Sequence, residues 1–388
     1  MPDELTSHEM SSFASFDNGI DDIPIERIFK PASQKLDSIA PLEASNGCKT
    51  WFRQIDSSTE IHGLLAPKIV GACEDAPPLG ISAQSESQKS IYLSVMDGMG
   101  GAGAGQVNVS LPSAKFSTTE ALISSRSVRD TVLKQVVDKQ LFSPDRPVKT
   151  ITKDLKKCIT DDLELIDAAC KISSSSKIRG TLTKRLPTTL LLAKIEPNQK
   201  DPRLQKTNFW WAGDSRAFLI QPKHGLASLS IDHVGPSDAL EQLRSDPPIQ
   251  NTISSSVPFS INYGSINING PYILLLASDG VFGYLPTPGM LELGILEAIQ
   301  LPAKDFASNL MNFCGTYAAD DVSAAILTYN IFNNDEVLAV FSKRLEVLRE
   351  RYKSLQAMDS STEEYSTEVE RLWNLERPQY ERLIRGAK

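Results

Sequence analysis

The chain has 388 residues, with 40 lysines and arginines against 48 aspartates and glutamates, for a formal net charge of −8; that length corresponds to about two or three domains at the usual domain size. Hydrophobic residues make up 41%, aromatic 7% and charged 23%, the balance of a soluble globular chain rather than a disordered or fibrous one. The acidic excess argues against a protein that coats phosphate backbone, because such affinity needs clustered Lys and Arg.

The five cysteines, Cys48, Cys73, Cys158, Cys170 and Cys314, are odd in number and form no CxxC pair. Neither a disulfide framework nor a zinc-cysteine site is indicated, and a reducing cytoplasm is the expected home. The N-terminus MPDELTSHEM has no basic start, and apolar runs such as Ile273–Ala277 are too short to span a bilayer. Neither a nucleic-acid nor a membrane partner is expected.

In chain order, residues 1–50 mix Ser, Asp and Pro without periodicity and read as an extended or partly disordered arm. From Trp51, short β-type runs appear at Ile91–Met96, Thr189–Ile195, Phe209–Ala212, Ala217–Ile220, Ile273–Ser278 and Val322–Thr328, each closed by Gly, Pro or acidic residues. Between the first two runs lie helical stretches at Thr118–Leu141 and Val148–Ile172. In the second, Ile151, Leu155, Ile159, Leu163, Ile166 and Cys170 recur three or four residues apart and form one apolar stripe. Strands, two long helices, then closely spaced strands fit an α+β sandwich better than βαβ alternation. Trp210 and Trp211, adjacent in a strand, face opposite sides.

Beyond Thr328, Phe341, Leu345, Leu348, Tyr352 and Leu355 form a narrow seam on a charged helix. Asp359-Ser360-Ser361 interrupts it, Ser361 and Glu364 read as a capping box, and Pro378 is expected to end or kink the second helix. The expected division is an arm over 1–50, a main domain over 51–330 and a C-terminal helical hairpin over 331–388 that docks on the body or on a partner.

Four acidic motifs stand at ends of predicted strands: Glu74-Asp75, Asp97-Gly98, Asp279-Gly280 and Asp320-Asp321. Carboxylates gathered at strand ends repel one another unless a cation compensates them. Oxygen donors without His or thiol partners suit Mg or Mn, and the four histidines, His8, His62, His224 and His233, form no HxxxH or HExxH pair. Two other readings stand beside this one. Asp-Gly is a common turn dipeptide. The string Gly98-Met99-Gly100-Gly101-Ala102-Gly103 satisfies GxGxxG, but a dinucleotide site also needs a helix N-terminus directly after it, and Gln106–Ser117 contains Pro112 and little helical periodicity.

The ordered pieces CEDA (73–76), VMDGMGG (95–101), LPTTLLLAKI (186–195), WAGDSRAFL (211–219), LSIDH (229–233), LASDGVF (276–282) and DDVSAAIL (320–327) resemble the metal-dependent, type 2C serine/threonine protein phosphatases, from about Trp51 to Thr328. The resemblance implies a four-layer αββα sandwich of two antiparallel sheets flanked by helices, with two Mn or Mg ions at one end. It implies that Asp97 bridges both ions, that the Gly98 carbonyl binds one, and that Asp279 and Asp320 bind the other. Glu74 and Asp75 would hold metal-bound waters, and Asp214 would sit at a weaker third position. The catalytic set implied is Asp97, Asp279, Asp320 and Asp75.

Two positions depart from the family pattern. Val70 stands where an arginine usually grips the substrate phosphate, leaving Lys68 or His62 as substitutes, neither with a bidentate fork. Gly283 stands where a further acidic residue is usual. Asp214-Ser215-Arg216 can also be read as a polar hairpin with Arg216 paired to a carboxylate. The expected function is hydrolysis of phosphoserine or phosphothreonine in a phosphoprotein substrate by a metal-activated water. The alternative is a catalytically weak phosphatase-like regulator or scaffold, binding a protein partner or itself through residues 331–388.

Overall fold

The computed structural model describes residues 42–43, 47–69, 72–84, 89–101, 103, 105–111, 114–137, 141–143, 146–169, 171–172, 184–198, 200–201, 203–235, 238–245 and 247–384. Most of the expected arm, Val70, Ala102, Pro112 and Cys170 lie outside the described residues.

The elements in chain order are β1 (Leu42–Glu43), β2 (Lys49–Asp56), β3 (Thr59–Ala66), β4 (Leu79–Gln84), β5 (Lys89–Val95), β6 (Gln106–Leu111), β7 (Ala114–Thr119), α1 (Glu120–Val137), α2 (Val148–Ala169), β8 (Lys171–Ile172), β9 (Leu190–Pro197), β10 (Leu204–Ala212), β11 (Arg216–Gln221), β12 (Gly225–Ser228), α3 (Ala239–Ser245), β13 (Asn262–Asn269), β14 (Tyr272–Ala277), α4 (Asp279–Phe282), α5 (Met290–Ala298), α6 (Phe306–Gly315), β15 (Val322–Tyr329), α7 (Asp335–Ala357) and α8 (Glu363–Tyr380). Among the described residues these strands form a seven-stranded sheet, β1-β2-β3-β15-β14-β11-β12, a five-stranded sheet, β13-β10-β9-β5-β4, and a small sheet, β7-β6-β8. The pairings in both large sheets are antiparallel.

Alternation along the central strands builds the layers. In β14, Leu274 and Leu276 enter the core between the large sheets, while Ile273, Leu275 and Ala277 face the helices outside. In β9, Leu191, Ala193 and Ile195 turn inward, and Leu190 and Leu192 turn toward α1 and α2. Three apolar layers therefore separate four layers of structure, the αββα sandwich expected. Trp210 packs with the α1–α2 layer and Trp211 between the sheets, so both are buried.

The six expected strands and two expected helices all form, with shifted ends. Phe209–Ala212 extends back to Leu204 because β10 is paired on both edges, with β9 and β13, and its polar residues bond into both ladders. Helix α5 carries no polar stripe to read, since nearly all of it is buried.

On α7, the seam Phe341, Leu345, Leu348, Tyr352 and Leu355 lies in the same apolar layer as Phe218, Leu275 and Leu291. The hairpin thus docks on the body. Its second helix is capped by Thr362, whose side chain accepts from the Tyr365 N–H at 3.2 Å, one residue after the expected Ser361. Pro378 does not end α8 at its own position; the helix closes two residues later at Tyr380. Among the described residues no helix is long and apolar enough to cross a membrane.

Candidate functional site

The acidic motifs meet at one end of the sandwich. Asp97 follows β5, and its backbone is clamped: its N–H donates to Thr189 Oγ1 at 2.9 Å, and its carbonyl accepts from the Thr188 hydroxyl at 2.6 Å and the Thr189 N–H at 2.9 Å. Thr189 Oγ1 lies 2.8 Å from Ser215 Oγ, tying this strand end to the loop that bears Asp214. Thr188 and Thr189 are fully buried. Sequence reasoning quoted them within a motif but gave them no task.

The glycines of the two Asp-Gly motifs are not turn residues. Neither Gly98 nor Gly280 has a positive φ. A Cβ on Gly98 would lie 2.2 Å from the Glu74 carbonyl oxygen, and one on Gly280 1.8 Å from that of Asp321. Each glycine lets one acidic loop rest against another, which a turn reading does not explain. The dinucleotide reading fails because no helix starts behind the glycines: Gln106–Leu111 is strand β6, and the next helix begins only at Glu120.

Asp75 is buried, accepts from Ser323 Oγ at 2.7 Å and lies 3.4 Å from the Gly98 N–H. Burial, then the neighbouring Asp321 and Asp279 carboxylates, hold its acid well above the usual range despite the Ser323 bond. Asp97 is raised the same way, by burial and by Asp75, Asp279 and Asp214, with the Asp279 carboxylate within hydrogen-bonding reach. Asp214 is raised by burial, then by Asp279 and Asp232, and its Oδ1 is buried without a hydrogen-bond partner. Four carboxylates therefore face one another, three from loops and Asp279 from the first turn of α4.

That donor set fits a divalent cation in charge and chemistry: all oxygen, mutually repelling, with an orphaned buried acceptor at Asp214. The side chains are not closed into a cage. Among the described residues no three Asp, Glu, His or Cys side chains are gathered closely enough to hold one ion.

Glu74 and Asp320 sit at the edge of the cluster. Glu74 is partly buried and raised, chiefly by burial. Asp320 has a side chain 47% exposed and 4.0 Å from the Lys68 ammonium. Its neighbour Asp321, given no role from sequence, is the buried member of the pair: its carboxylate accepts from the Lys68 N–H and the Glu74 N–H, each at 2.7 Å. Both precede β15, which begins at Val322, so no strand alternation told the two apart in the sequence.

Of the two substitutes for the phosphate-gripping arginine, His62 is corrected. It is fully buried on β3 among Phe52, Phe306 and Phe332 and cannot meet a substrate. Lys68 remains, 54% exposed at the rim. Gly283 caps α4, its N–H on the Asp279 carbonyl.

The GDSR segment is more than a surface hairpin. Gly213, at φ +104°, donates to His233 Nδ1 at 3.1 Å, and the His233 N–H donates back to its carbonyl at 3.0 Å. Arg216 is buried and grips Asp232, so its pairing is an interior one.

No family model and no curated protein matches the sequence. Solved structures do. A bacterial serine phosphatase matches with a TM-score of 0.50 and 17% identity, over 69% of this chain and 97% of that one. The Mycobacterium tuberculosis serine/threonine phosphatase PstP/Ppp has a TM-score of 0.47 and 14% identity, over 70% of this chain and 99% of its own. Stp1 of Staphylococcus aureus has 0.47 and 16%, over 75% and 97%. The chain resembles the type 2C serine/threonine phosphatases in fold over about 70% of its length.

Proposed function

We propose that the chain is a Mn- or Mg-dependent protein serine/threonine phosphatase acting on a phosphoprotein, with residues 51–330 carrying the site and 331–388 bracing it. The observation that carries this is the cluster of Asp75, Asp97, Asp214 and Asp279, raised by burial and mutual repulsion on a phosphatase-like fold. Asp97 and the Gly98 carbonyl would hold one ion, and Asp97, Asp279 and Asp320 the other, with Glu74 and Asp75 on bound waters and Asp214 at a weaker third position.

Such ions, when bound, supply Lewis acidity and a water of lowered pKa. The chain's own groups position the substrate and the proton. Asp75, fixed by Ser323 Oγ, would present an oriented acceptor to a water proton once bound cations offset the neighbouring carboxylates. Lys68, on the rim, offers a point charge to the phosphate dianion in place of a guanidinium fork. The absence of a nucleophile constellation in the sequence favours direct attack by water.

The test is release of phosphate from phosphoserine and phosphothreonine peptides by the full chain in millimolar manganese, with chelator as control. Chelator-sensitive release supports the reading; no release and no manganese uptake overturn it. A second reading, a catalytically weak scaffold, is favoured by Gly283 and by the open arrangement of the acids. Manganese uptake with turnover no better than Asp97→Asn would select it. Residence in the cytoplasm belongs to the same proposal.

A further inference from the structure

The appended helix α8 reaches the GDSR segment. Arg216, the first residue of β11, has its guanidinium buried and all sides occupied: Nε lies 2.9 and 3.0 Å from the two Asp232 oxygens, Nη2 bonds Asp232 at 2.5 Å and Gln242 Oε1 of α3 at 2.6 Å, and Nη1 donates to the Tyr380 hydroxyl at 2.8 Å. The Phe282 ring, on the short helix begun by Asp279, stacks 4.5 Å from the guanidinium carbon. One cation thus joins the Asp214 loop, the Asp232 segment, α3, α4 and α8.

The connection to the acids is short. Asp232 precedes His233, which holds both backbone groups of Gly213; Arg216 closes the other end of the same four-residue loop. Between them stand Asp214 and Ser215, the latter hydroxyl-bonded to Thr189 and so to Asp97. Tyr380 itself is 3% exposed, its ring edge-on to Phe218 and Trp373. Packing therefore fixes the ring, and the hydroxyl is free to serve Arg216 alone in orientation.

We propose that Tyr380 is a positioning residue: through its hydroxyl the C-terminal helix holds Arg216 on Asp232 and so sets the loop that presents Asp214 to the acidic cluster. The consequence for metal uptake rests on the phosphatase reading above; the placement of the loop does not. A Tyr380 hydroxyl withdrawn leaves Nη1 as a buried donor without an acceptor, and the guanidinium must shift or admit water.

Tyr380→Phe keeps the ring and removes the bond. Trp373→Phe is the control, since it trims the ring beside Tyr380 and touches no group of Arg216. Amide hydrogen exchange on the metal-free full chain is expected to quicken at residues 213–216 and 230–233 in Tyr380→Phe and not in Trp373→Phe. Manganese titration is expected to show affinity weakened about tenfold in Tyr380→Phe, the scale at which outer partners of a metal act. Unchanged exchange in Tyr380→Phe, or equal quickening in both variants, overturns the proposal. If the unaltered chain takes up no manganese and releases no phosphate, the phosphatase reading falls, and the exchange comparison still decides Tyr380.

Discussion

Two regions of the molecule bury carboxylates, and they treat them oppositely. Under the C-terminal hairpin, Glu292 of α5 is 2% exposed and is gripped by Arg344 of α7 and by Gln379 of α8. Glu376 of α8 accepts from Tyr352 and from Thr287 Oγ1, with Arg351 3.6 Å away. Each acid there has a cation and a neutral donor. At the acidic end of the sandwich, no salt bridge reaches Asp75, Asp97 or Asp214 among the described residues, and their acids are pushed up by burial and by one another. A folded chain tolerates buried charge when it supplies the partner. Where it withholds the partner, the site is poised for something else to supply it.

The largest effect that could break this contrast is at Asp97. Asp97→Asn should cut manganese-dependent phosphate release by at least about a hundredfold, since changes to the outer partners of a metal already reach that scale. The metal-free variant should melt no lower than the unaltered chain, because the substitution removes a charge that its neighbours oppose. A fall in melting temperature without metal would show that Asp97 is a structural acid of the hairpin kind.

At the hairpin the expectation reverses. Arg344→Ala strands Glu292 in the interior, and breaking such a buried pair costs about 3–5 kcal/mol. Urea unfolding would read it, and the loss should be the same with and without manganese. A loss below about 1 kcal/mol would mean that Gln379 alone satisfies Glu292 and that the contrast is overstated.

The acidic end was legible in the sequence because its signals are local: an Asp-Gly after an apolar run marks a strand end, and several in one order mark a site. The hairpin seat was not, because Arg344 and Glu292 stand 52 residues apart and only the docking of α7 on α5 makes them a pair. The same blindness misplaced His62, whose β3 position turns it toward α6 and its aromatic residues. It also left the buried Asp321 unread beside Asp320, since neighbouring identical residues carry no sign of which one faces the loop.

His62 supplies a smaller test, with a proton as the probe. Burial among aromatic rings lowers its pKa from 6.5 to about 3, with Thr328 Oγ1 3.4 Å away and Glu60 accepting from that hydroxyl. The unfolded chain takes up a proton near pH 6.5 that the folded chain refuses until about pH 3. Its contribution is therefore intact above pH 6.5 and is lost as pH falls toward 3, with a slope approaching about 1.4 kcal/mol per pH unit. Denaturation midpoints from pH 7 to 5 should fall less steeply in His62→Gln. Parallel curves would show that His62 carries no part of the acid sensitivity.

The smallest effect on stability, and the sharpest on the contrast, is expected at Lys68. Its pair with Asp320 is 4.0 Å long and half-exposed on both sides, the class of surface pair worth about 0–1 kcal/mol. Lys68→Ala should leave the melting temperature nearly unmoved. If the ammonium meets the phosphate, the same change should raise KM severalfold while kcat changes less, because it removes a contact made to the bound substrate as much as to the transition state. Lys68→Arg should restore KM, since a guanidinium at that rim brings the bidentate geometry the site lacks. An unchanged KM in Lys68→Ala would return Lys68 to the hairpin's side of the comparison, as a cation whose only business is the carboxylate beside it.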